Sequence, residues 1–282
     1  MQTKIIKVNQ LNFNVFDQGS GEPILLLHGF PDSLQVWRKL IPRLLGAGYR
    51  VIAYDQRGFG QTDAPLGVTN YRSRQIVSDL VGILQALQVT QKVKLIAHDW
   101  GANIGWRAIL TQPELFSSYV TLGVGHPRAF AQAGGFEQLR KSWYALSFLF
   151  TGSAERLFSC HDWALFRKFT KYNPEATAHW LPDLQRPGRF TAALNWYRAN
   201  LNPYYWEKHP AVQNATVSLP VLGIIGEQDP YLSYAQMQHS VYYAPNLTII
   251  AVIGAGHWLQ LENTELVFQK IRTYYQQLVT TF

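Results

Sequence analysis

The sequence has a single cysteine, Cys160, among 282 residues, so no disulfide can form within the chain. Disulfides are typical of secreted proteins, and nothing in the cysteine content indicates an oxidising compartment. The N-terminal segment, residues 1–10, also has no apolar core of the kind found in signal peptides. We therefore expect a cytoplasmic protein.

Long hydrophobic runs are missing too. No segment approaches the ~18–20 apolar residues that a bilayer-spanning helix needs. The longest candidate, residues 143–150, has eight residues and is interrupted by Ser147. We expect no membrane insertion, and we interpret this run as a buried turn of helix.

Charged residues are scarce, at 15% of the chain, whereas hydrophobic residues make up 47%. Disorder requires the opposite balance, so the composition predicts a folded globular protein. The net charge of +7 comes from scattered basic pairs such as Arg38-Lys39, with no basic run of five residues. Such an excess attracts anionic surfaces only weakly. No nucleic-acid-binding motif is visible, and we expect no nucleic-acid partner.

Apolar runs of strand length alternate with helical patterns in the first and last thirds of the chain. A hairpin with its turn at Asn9-Gln10 opens the sequence, formed by residues 4–8 and 11–17. Further strands are predicted at 23–28, 50–53, 93–97, 119–124, 221–226 and 247–253, and helices at 34–45 (after an N-cap at Ser33), 76–87, 102–110, 233–241 and 264–278. This alternation predicts an α/β fold with a mostly parallel sheet flanked by helices.

The middle of the chain has a different character. Five of the nine tryptophans lie there, at positions 143, 163, 180, 196 and 206, and strand-like runs are missing. We interpret residues 127–219 as a helical cap inserted after the sixth strand, with residues 1–126 and 220–282 forming the core. A cap in this position would cover the carboxyl edge of the sheet, where such folds bind ligands.

Residues 97–102 (AHDWGA) lie between a predicted strand and a predicted helix. A nucleophile on such a sharp turn needs small neighbours, which Ala97, Gly101 and Ala102 supply. Taken alone, an aspartate at position 99 is more typical of a helix N-cap. As a nucleophile, however, Asp99 needs no activating base and forms an alkyl ester at a tetrahedral carbon. It excludes serine-type esterase, lipase and peptidase chemistry.

Two further residues complete a pattern with Asp99. Asp229 follows the strand at 221–226, and His257 follows the last strand in a glycine-rich loop. Nucleophile, acid and histidine in this order, each after its own strand, match the order of an α/β-hydrolase triad. Asp229 also suits a turn before proline, and Glu227 is a weaker candidate for the acid.

The motif HGFP (residues 28–31) follows the strand at 23–28. A loop in this place supplies one backbone N–H of an oxyanion hole, and the residue after the nucleophile supplies the second. The predicted donors are the amides of Phe30 and Trp100.

On these motifs the chain resembles the α/β-hydrolase superfamily over its whole length, and within it the soluble epoxide hydrolases. The segments that carry the resemblance are HGFP (28–31), DQRGFG (55–60), HDWG (98–101), GHP (125–127) and GHW (256–258). The resemblance implies hydrolysis of an epoxide to a diol through an ester on Asp99, with His257 as the base and Asp229 as its orienting acid.

In that family two cap tyrosines hold the epoxide oxygen and donate a proton. Tyr197, in ALNWYR (193–198), and Tyr144, in SWY (142–144), match those positions. A phenol suits this role because it donates while remaining neutral at pH 7. The aromatic cap, together with Phe30, Trp100 and Trp258, favours a small apolar epoxide. The mechanism requires no metal or organic cofactor.

Three alternatives stay open. Haloalkane dehalogenases share the aspartate and often the following tryptophan, and the Trp100 indole would supply one donor to a halide. The second donor is often an asparagine at the position of Phe30, which has no side-chain donor, or else a cap tryptophan, and this chain has several tryptophans in its predicted cap. Fluoroacetate dehalogenases place arginines at the positions of Trp100 and Asn103, which disfavours them. A ligand-binding protein without catalysis is the third alternative, against which the complete triad argues.

Overall fold

Eight strands form one sheet in the computed structural model, which describes residues 1–170, 174–202, 204 and 216–280. In chain order they are β1 (Lys4–Val8), β2 (Leu11–Gln18), β3 (Pro23–Leu27), β4 (Arg50–Tyr54), β5 (Val93–His98), β6 (Phe116–Leu122), β7 (Val221–Gly226) and β8 (Leu247–Val252). Their order across the sheet is β1-β2-β4-β3-β5-β6-β7-β8. The pairs β1–β2 and β2–β4 are antiparallel, and the other neighbouring strands run parallel.

The helices lie between and around these strands, which confirms the predicted α/β fold. They are α1 (Ile41–Gly46), α2 (Ser73–Ala86), α3 (Trp100–Thr111), α4 (Pro127–Ala133), α5 (Gly135–Lys141), α6 (Trp143–Phe148), α7 (Ser153–Phe169), α8 (Pro174–Leu184), α9 (Arg189–Leu201), α10 (Tyr234–His239), α11 (Leu259–Glu262) and α12 (Thr264–Thr280). Every residue of β3 is buried, as expected for a parallel strand covered on both faces. Among the described residues, no helix is both long and apolar enough to cross a bilayer.

The prediction of one continuous helix over residues 34–45 is wrong. Ser33 accepts a hydrogen bond from the Gln35 amide at 3.4 Å, but only a short 3-10 turn, Leu34–Trp37, follows it. The α-helix begins at Ile41. Pro42 explains the break, because proline lacks an N–H and is accommodated only in the first turn of a helix.

Helices α4 to α9 occupy the chain between β6 and β7, and we call them the helical insertion. Its α7 is interrupted at Cys160–Trp163, where the backbone leaves the helical conformation. Trp206, one of the tryptophans that the sequence places in this part of the chain, lies outside the described residues.

The apolar run that contains α6 is only half buried, so its interpretation as a buried turn is wrong. Tyr144 and Phe148 point inward, whereas Trp143, Leu146 and Phe150 are exposed. A run with almost no polar residues has no periodicity from which a buried face is readable. Which face of α6 is buried and which is exposed is determined by how the helix packs in the folded protein.

The start of α3 lies directly against the end of β3. A Cβ atom on Gly101 would lie 2.4 Å from the carbonyl oxygens of Leu27 and His28, which are backbone atoms and cannot swing aside. One turn further, a Cβ atom on Gly105 would lie 2.7 Å from the Tyr119 hydroxyl oxygen. Glycines therefore set how closely this helix approaches the sheet.

We expect Gly101→Ala to lower the free energy of unfolding by about 1–3 kcal/mol or more, because the methyl group forces the backbones apart. Gly46→Ala is the matched control, since no atom lies within 4 Å of its Cβ position. It should leave stability unchanged or raise it by about 0.4–1 kcal/mol. Urea unfolding of both variants measures the difference, and equal stabilities would contradict the packing argument.

Candidate active site

Asp99 sits on a strained turn between β5 and α3. Its backbone has φ 51° and ψ −123°, a conformation that L-residues seldom adopt. Gly29 makes the turn possible from the other side, because a Cβ atom there would lie 2.3 Å from Asp99 Oδ1. The carboxylate is thereby held against the loop that follows β3.

The two oxygens of the Asp99 carboxylate have different surroundings. Oδ1 accepts a hydrogen bond from the Phe30 amide at 2.7 Å, and the Trp100 amide also bonds to the carboxylate. Oδ2 lies 3.7 Å from His257 Nε2. Burial raises the pKa of Asp99, while the nearby His257 and the two amides oppose that rise. Oδ1 is therefore held by the Phe30 N–H, and Oδ2 faces the imidazole.

His257 is bound on its far side by Asp229. Its Nδ1 lies 2.7 Å from Asp229 Oδ2, and Asp229 Oδ1 accepts from the Tyr231 and Leu232 amides at 2.8 and 3.0 Å. Burial lowers the pKa of His257, but Asp229 and Asp99 together outweigh burial and raise it to about 9. Glu227, the weaker candidate, is exposed and accepts from the Gly254 amide at 3.3 Å.

Hydrogen bonds from His98 and from helix α5 hold the loops of His257 and Asp229 in place. No clear pattern in the sequence predicts these bonds. His98 Nε2 donates to the His257 carbonyl at 3.0 Å, so the residue before the nucleophile fixes the histidine loop. From α5, Lys141 Nζ donates to the Asp229 carbonyl at 2.7 Å, and Gln138 Nε2 donates to the Tyr231 carbonyl at 2.8 Å. The helical insertion is thus bonded to the loop that carries the acid.

Tyr144 on α6 and Tyr197 on α9 come together beside the carboxylate. Both are buried, and their ring centroids lie 6.0 Å apart. The Trp100 ring lies 5.0 Å from that of Tyr197. Burial raises the pKa of both phenols well above the ordinary value, and the Asp99 charge adds to the rise. Both side chains are therefore neutral phenols at pH 7.

Aromatic rings surround these polar groups. The Phe30 ring lies 5.3 Å from that of Tyr197 and 5.5 Å from that of Phe148. The Trp258 ring packs against His257 at 5.0 Å and Trp180 at 4.9 Å. The predicted residues Phe30, Trp100 and Trp258 are all buried here.

Asp32 is a third buried carboxylate near His257 that the sequence analysis missed. Its Oδ1 accepts from the Trp180 indole of α8 at 2.5 Å, and its Oδ2 accepts from the Trp258 indole at 3.1 Å. Burial raises its pKa to about 7, the two indoles oppose the rise, and the Asp99 charge adds to it. Its place directly after HGFP was the available signal, yet a loop aspartate is ordinarily a turn residue.

Comparisons with known proteins show the family to which the chain is similar. A family model described as alpha/beta hydrolase fold matches residues 22–264. An AB hydrolase superfamily protein of Bacillus subtilis, YfhM, is 30% identical, over 97% of this chain and 98% of that protein. Epoxide hydrolase 3 of Siraitia grosvenorii is 34% identical, over 79% of this chain and 80% of that protein. The crystal structure of epoxide hydrolase VrEH1 from Vigna radiata superposes with a TM-score of 0.86 at 28% identity, covering 98% of both chains.

The buried carboxyl of Asp32 gives a prediction about stability. Because its pKa of about 7 in the folded protein exceeds the ordinary 3.8, its contribution is complete below pH ~4 and is lost as the pH rises through about 7. Relative to Asp32→Asn, the wild-type free energy of unfolding should therefore fall across this range, by roughly a few kcal/mol. Urea unfolding at a series of pH values measures it.

Asp162→Asn serves as the control, because that carboxylate is exposed and should follow the wild-type pH dependence. Parallel curves for wild type and Asp32→Asn would show that Asp32 does not hold its proton more tightly in the folded state.

Proposed function

The chain belongs to the α/β-hydrolase family, and from that membership we propose that it hydrolyses an epoxide to a vicinal diol through a covalent ester on Asp99. The observation that carries this proposal is the pair of neutral phenols, Tyr144 and Tyr197, which lie side by side next to the largely buried carboxylate of Asp99. An epoxide needs both partners, because its carbon accepts a nucleophile while its oxygen must gain a proton. The named epoxide hydrolases among the relatives support the same reaction.

In the first half-reaction Asp99 Oδ2 attacks an epoxide carbon and the carbon–oxygen bond of the ring breaks. A phenol of the Tyr144–Tyr197 pair donates its proton to the epoxide oxygen. Oδ2 is the attacking atom because Oδ1 is already held by the Phe30 amide. The product is a hydroxyalkyl ester whose carbonyl oxygen is Oδ1.

Ester formation changes the charge that His257 experiences. The Asp99 carboxylate contributes to the raised pKa of this imidazole, and the neutral ester no longer does. The pKa of His257 therefore falls, and the proton that it releases restores the phenol. A neutral Nε2, oriented by Asp229 on the opposite nitrogen, is then ready to act as a general base.

In the second half-reaction His257 removes a proton from water, and the hydroxide attacks the carbonyl carbon of the Asp99 ester. Negative charge develops on Oδ1, which already faces the Phe30 and Trp100 amides. The bond from this carbon to Oδ2 breaks, and the leaving alkoxide takes the proton from His257. The diol departs with Oδ2. The Asp99 carboxyl, which now contains the water oxygen, returns the remaining proton of the water to His257, and the starting charges are restored.

The helical insertion acts in this proposal as a cap domain. It supplies both phenols and most of the aromatic rings around them, so the substrate is a small apolar epoxide. Phe30, Trp100 and Trp258 complete the apolar surround from the core side.

The haloalkane dehalogenase alternative has less support. A leaving halide needs two free N–H donors, and beside the Trp100 indole Phe30 has no side-chain donor to offer. In the helical insertion the indoles of Trp180 and Trp196 already donate to Asp32 and to the Arg57 carbonyl. A non-catalytic binding role does not explain why His257 lies between two carboxylates, 3.7 Å from Asp99 Oδ2 and 2.7 Å from Asp229 Oδ2.

The double variant Tyr144→Phe with Tyr197→Phe tests the phenols. We expect epoxide turnover to fall by about 10²–10⁴-fold, the contribution of a positioned acid, while each single variant keeps part of it. Diol and halide release are measured on parallel panels of epoxides and haloalkanes, with Asp99→Ala as the blank. Wild-type halide release without diol would establish the dehalogenase, and full diol formation by the double variant would refute the role of the phenols.

The variant His257→Gln should form the ester and fail to hydrolyse it. After exposure to an epoxide that the wild type turns over, the mass of the intact protein should rise by the mass of that epoxide. The double variant Asp99→Ala with His257→Gln is the matched control and should gain no mass. A folded His257→Gln protein without an adduct would contradict the covalent mechanism.

A further inference from the structure

A stripe of exposed apolar side chains runs along the outer surface of α5, α6 and the start of α7. Phe136 is 80% exposed, Trp143 50% and Phe150 68%. From Phe136 to Phe150 the spacing alternates between three and four residues, which is helical spacing and continues across the ends of the two short helices α5 and α6. The complete stripe consists of Phe136, Leu139, Trp143, Leu146, Phe150 and Leu157.

This stripe is unusual for its density. Single exposed apolar residues are normal on a protein surface, whereas a contiguous patch of this kind marks an interaction site. Elsewhere among the described residues the most exposed apolar side chains are spread over the chain: Leu66 and Ile253 lie in loops, Ile5 lies in β1 and Val279 in α12, and Val241 with Tyr242 forms one consecutive pair.

The charged residues beside the stripe leave an excess of positive charge, because, among the described residues, the acidic ones are ion-paired and two arginines are not. Three acidic residues lie in the segment 134–168, and each is ion-paired: Glu137 with Lys141, Glu155 with Arg198 and Asp162 with Arg167. Arg140, next to Leu139, and Arg156, next to Leu157, are exposed, and neither forms an ion pair within the described part of the chain. The whole chain carries a net charge of +7.

We propose that this stripe docks the protein on the surface of an anionic lipid membrane. Trp, Phe and Leu on one helix face with arginines beside them are the features of helices that lie in the plane of a membrane interface. The apolar side chains would enter the boundary between headgroups and acyl chains, and the arginines would contact the anionic headgroups. This proposal does not depend on the reaction assigned to the protein.

A second copy of this chain fits the stripe less well. A two-fold interface places the same patch on both subunits, so it would bring together two copies of a segment, 134–168, that has five basic and three acidic residues. An anionic surface satisfies the same charges directly.

The position of the stripe connects docking to the site. The opposite face of α6 carries Tyr144, and the opposite face of α5 bonds through Gln138 and Lys141 to the loop of Asp229. A docked protein would therefore hold the insertion side of the candidate site against the membrane, where apolar compounds accumulate.

The test is flotation of the full-length protein with vesicles of phosphatidylcholine alone and of phosphatidylcholine mixed with phosphatidylserine. We expect binding to the mixed vesicles at low salt and loss of binding at high salt. The triple variant Phe136→Gln, Leu139→Gln and Phe150→Gln should abolish it. The control triple variant Leu66→Gln, Tyr242→Gln and Ile253→Gln removes exposed apolar side chains elsewhere and should bind like wild type.

The charge pair provides a second, milder variant. One basic residue near an anionic surface changes the partition coefficient about fivefold, so Arg140→Gln with Arg156→Gln should weaken binding more than tenfold. The control variant Lys7→Gln with Lys92→Gln removes the same net charge from exposed positions outside the helical insertion. Its effect on vesicle binding should be much smaller. All variants are checked for folding by circular dichroism and for mass in solution by light scattering.

Three results would overturn the proposal. The first is equal binding of wild type to both kinds of vesicle, or to neither. The second is unchanged binding by a folded triple or charge variant. The third is a wild-type dimer that the stripe variants convert to a monomer, which would assign the stripe to a second copy of the chain.

Discussion

The backbone of Asp99 is the constraint on which the candidate site depends. Its turn at φ 51° and ψ −123° lies in a sparsely populated region that costs on the order of 1–3 kcal/mol. The packing around it keeps the turn in place, because Gly29 and Gly101 leave room only for hydrogen atoms where the carboxylate and the end of β3 approach. The same close approach puts the Phe30 amide within 2.7 Å of Oδ1. The same backbone packing therefore positions both the carboxylate and its N–H donor.

Burial makes uncompensated charge around His257 energetically costly. Asp32 and Asp229 are buried, and the Asp99 side chain is only 13% exposed, so three carboxyl groups surround a single imidazole. Unpaired buried charges are strongly unfavourable. Each carboxylate therefore accepts hydrogen bonds from N–H groups that cannot ionise. Backbone amides bind Asp99 and Asp229, and indoles bind Asp32. Because these neutral donors stabilise the negative charge of the carboxylates, His257 does not have to stay protonated to balance it and can gain and lose a proton.

The sequence was informative wherever a residue acts through its own loop. Asp99, Asp229 and His257 each follow a strand, so their meeting at one sheet edge follows from topology alone. It was much less informative where two distant segments meet. Nothing in the spacing of Gln138 and Lys141 indicates that they bond to the loop of Asp229, 88 residues from Lys141 and further from Gln138. Such partners depend on how the helical insertion packs on the sheet, which a single sequence does not encode as a local pattern.

Those same bonds bear on how a substrate would enter. Moving α5 away from the core would leave the buried carbonyls of Asp229 and Tyr231 without their donors from Lys141 and Gln138. An unsatisfied buried polar group costs about 1–3 kcal/mol, and α6, which carries Tyr144, directly follows α5 in the chain. These bonds therefore tie α5, and through it α6 with Tyr144, to the loop that carries Asp229. In the proposed reaction, the geometry that would receive the epoxide oxygen is then set before any substrate arrives, so binding need not assemble it.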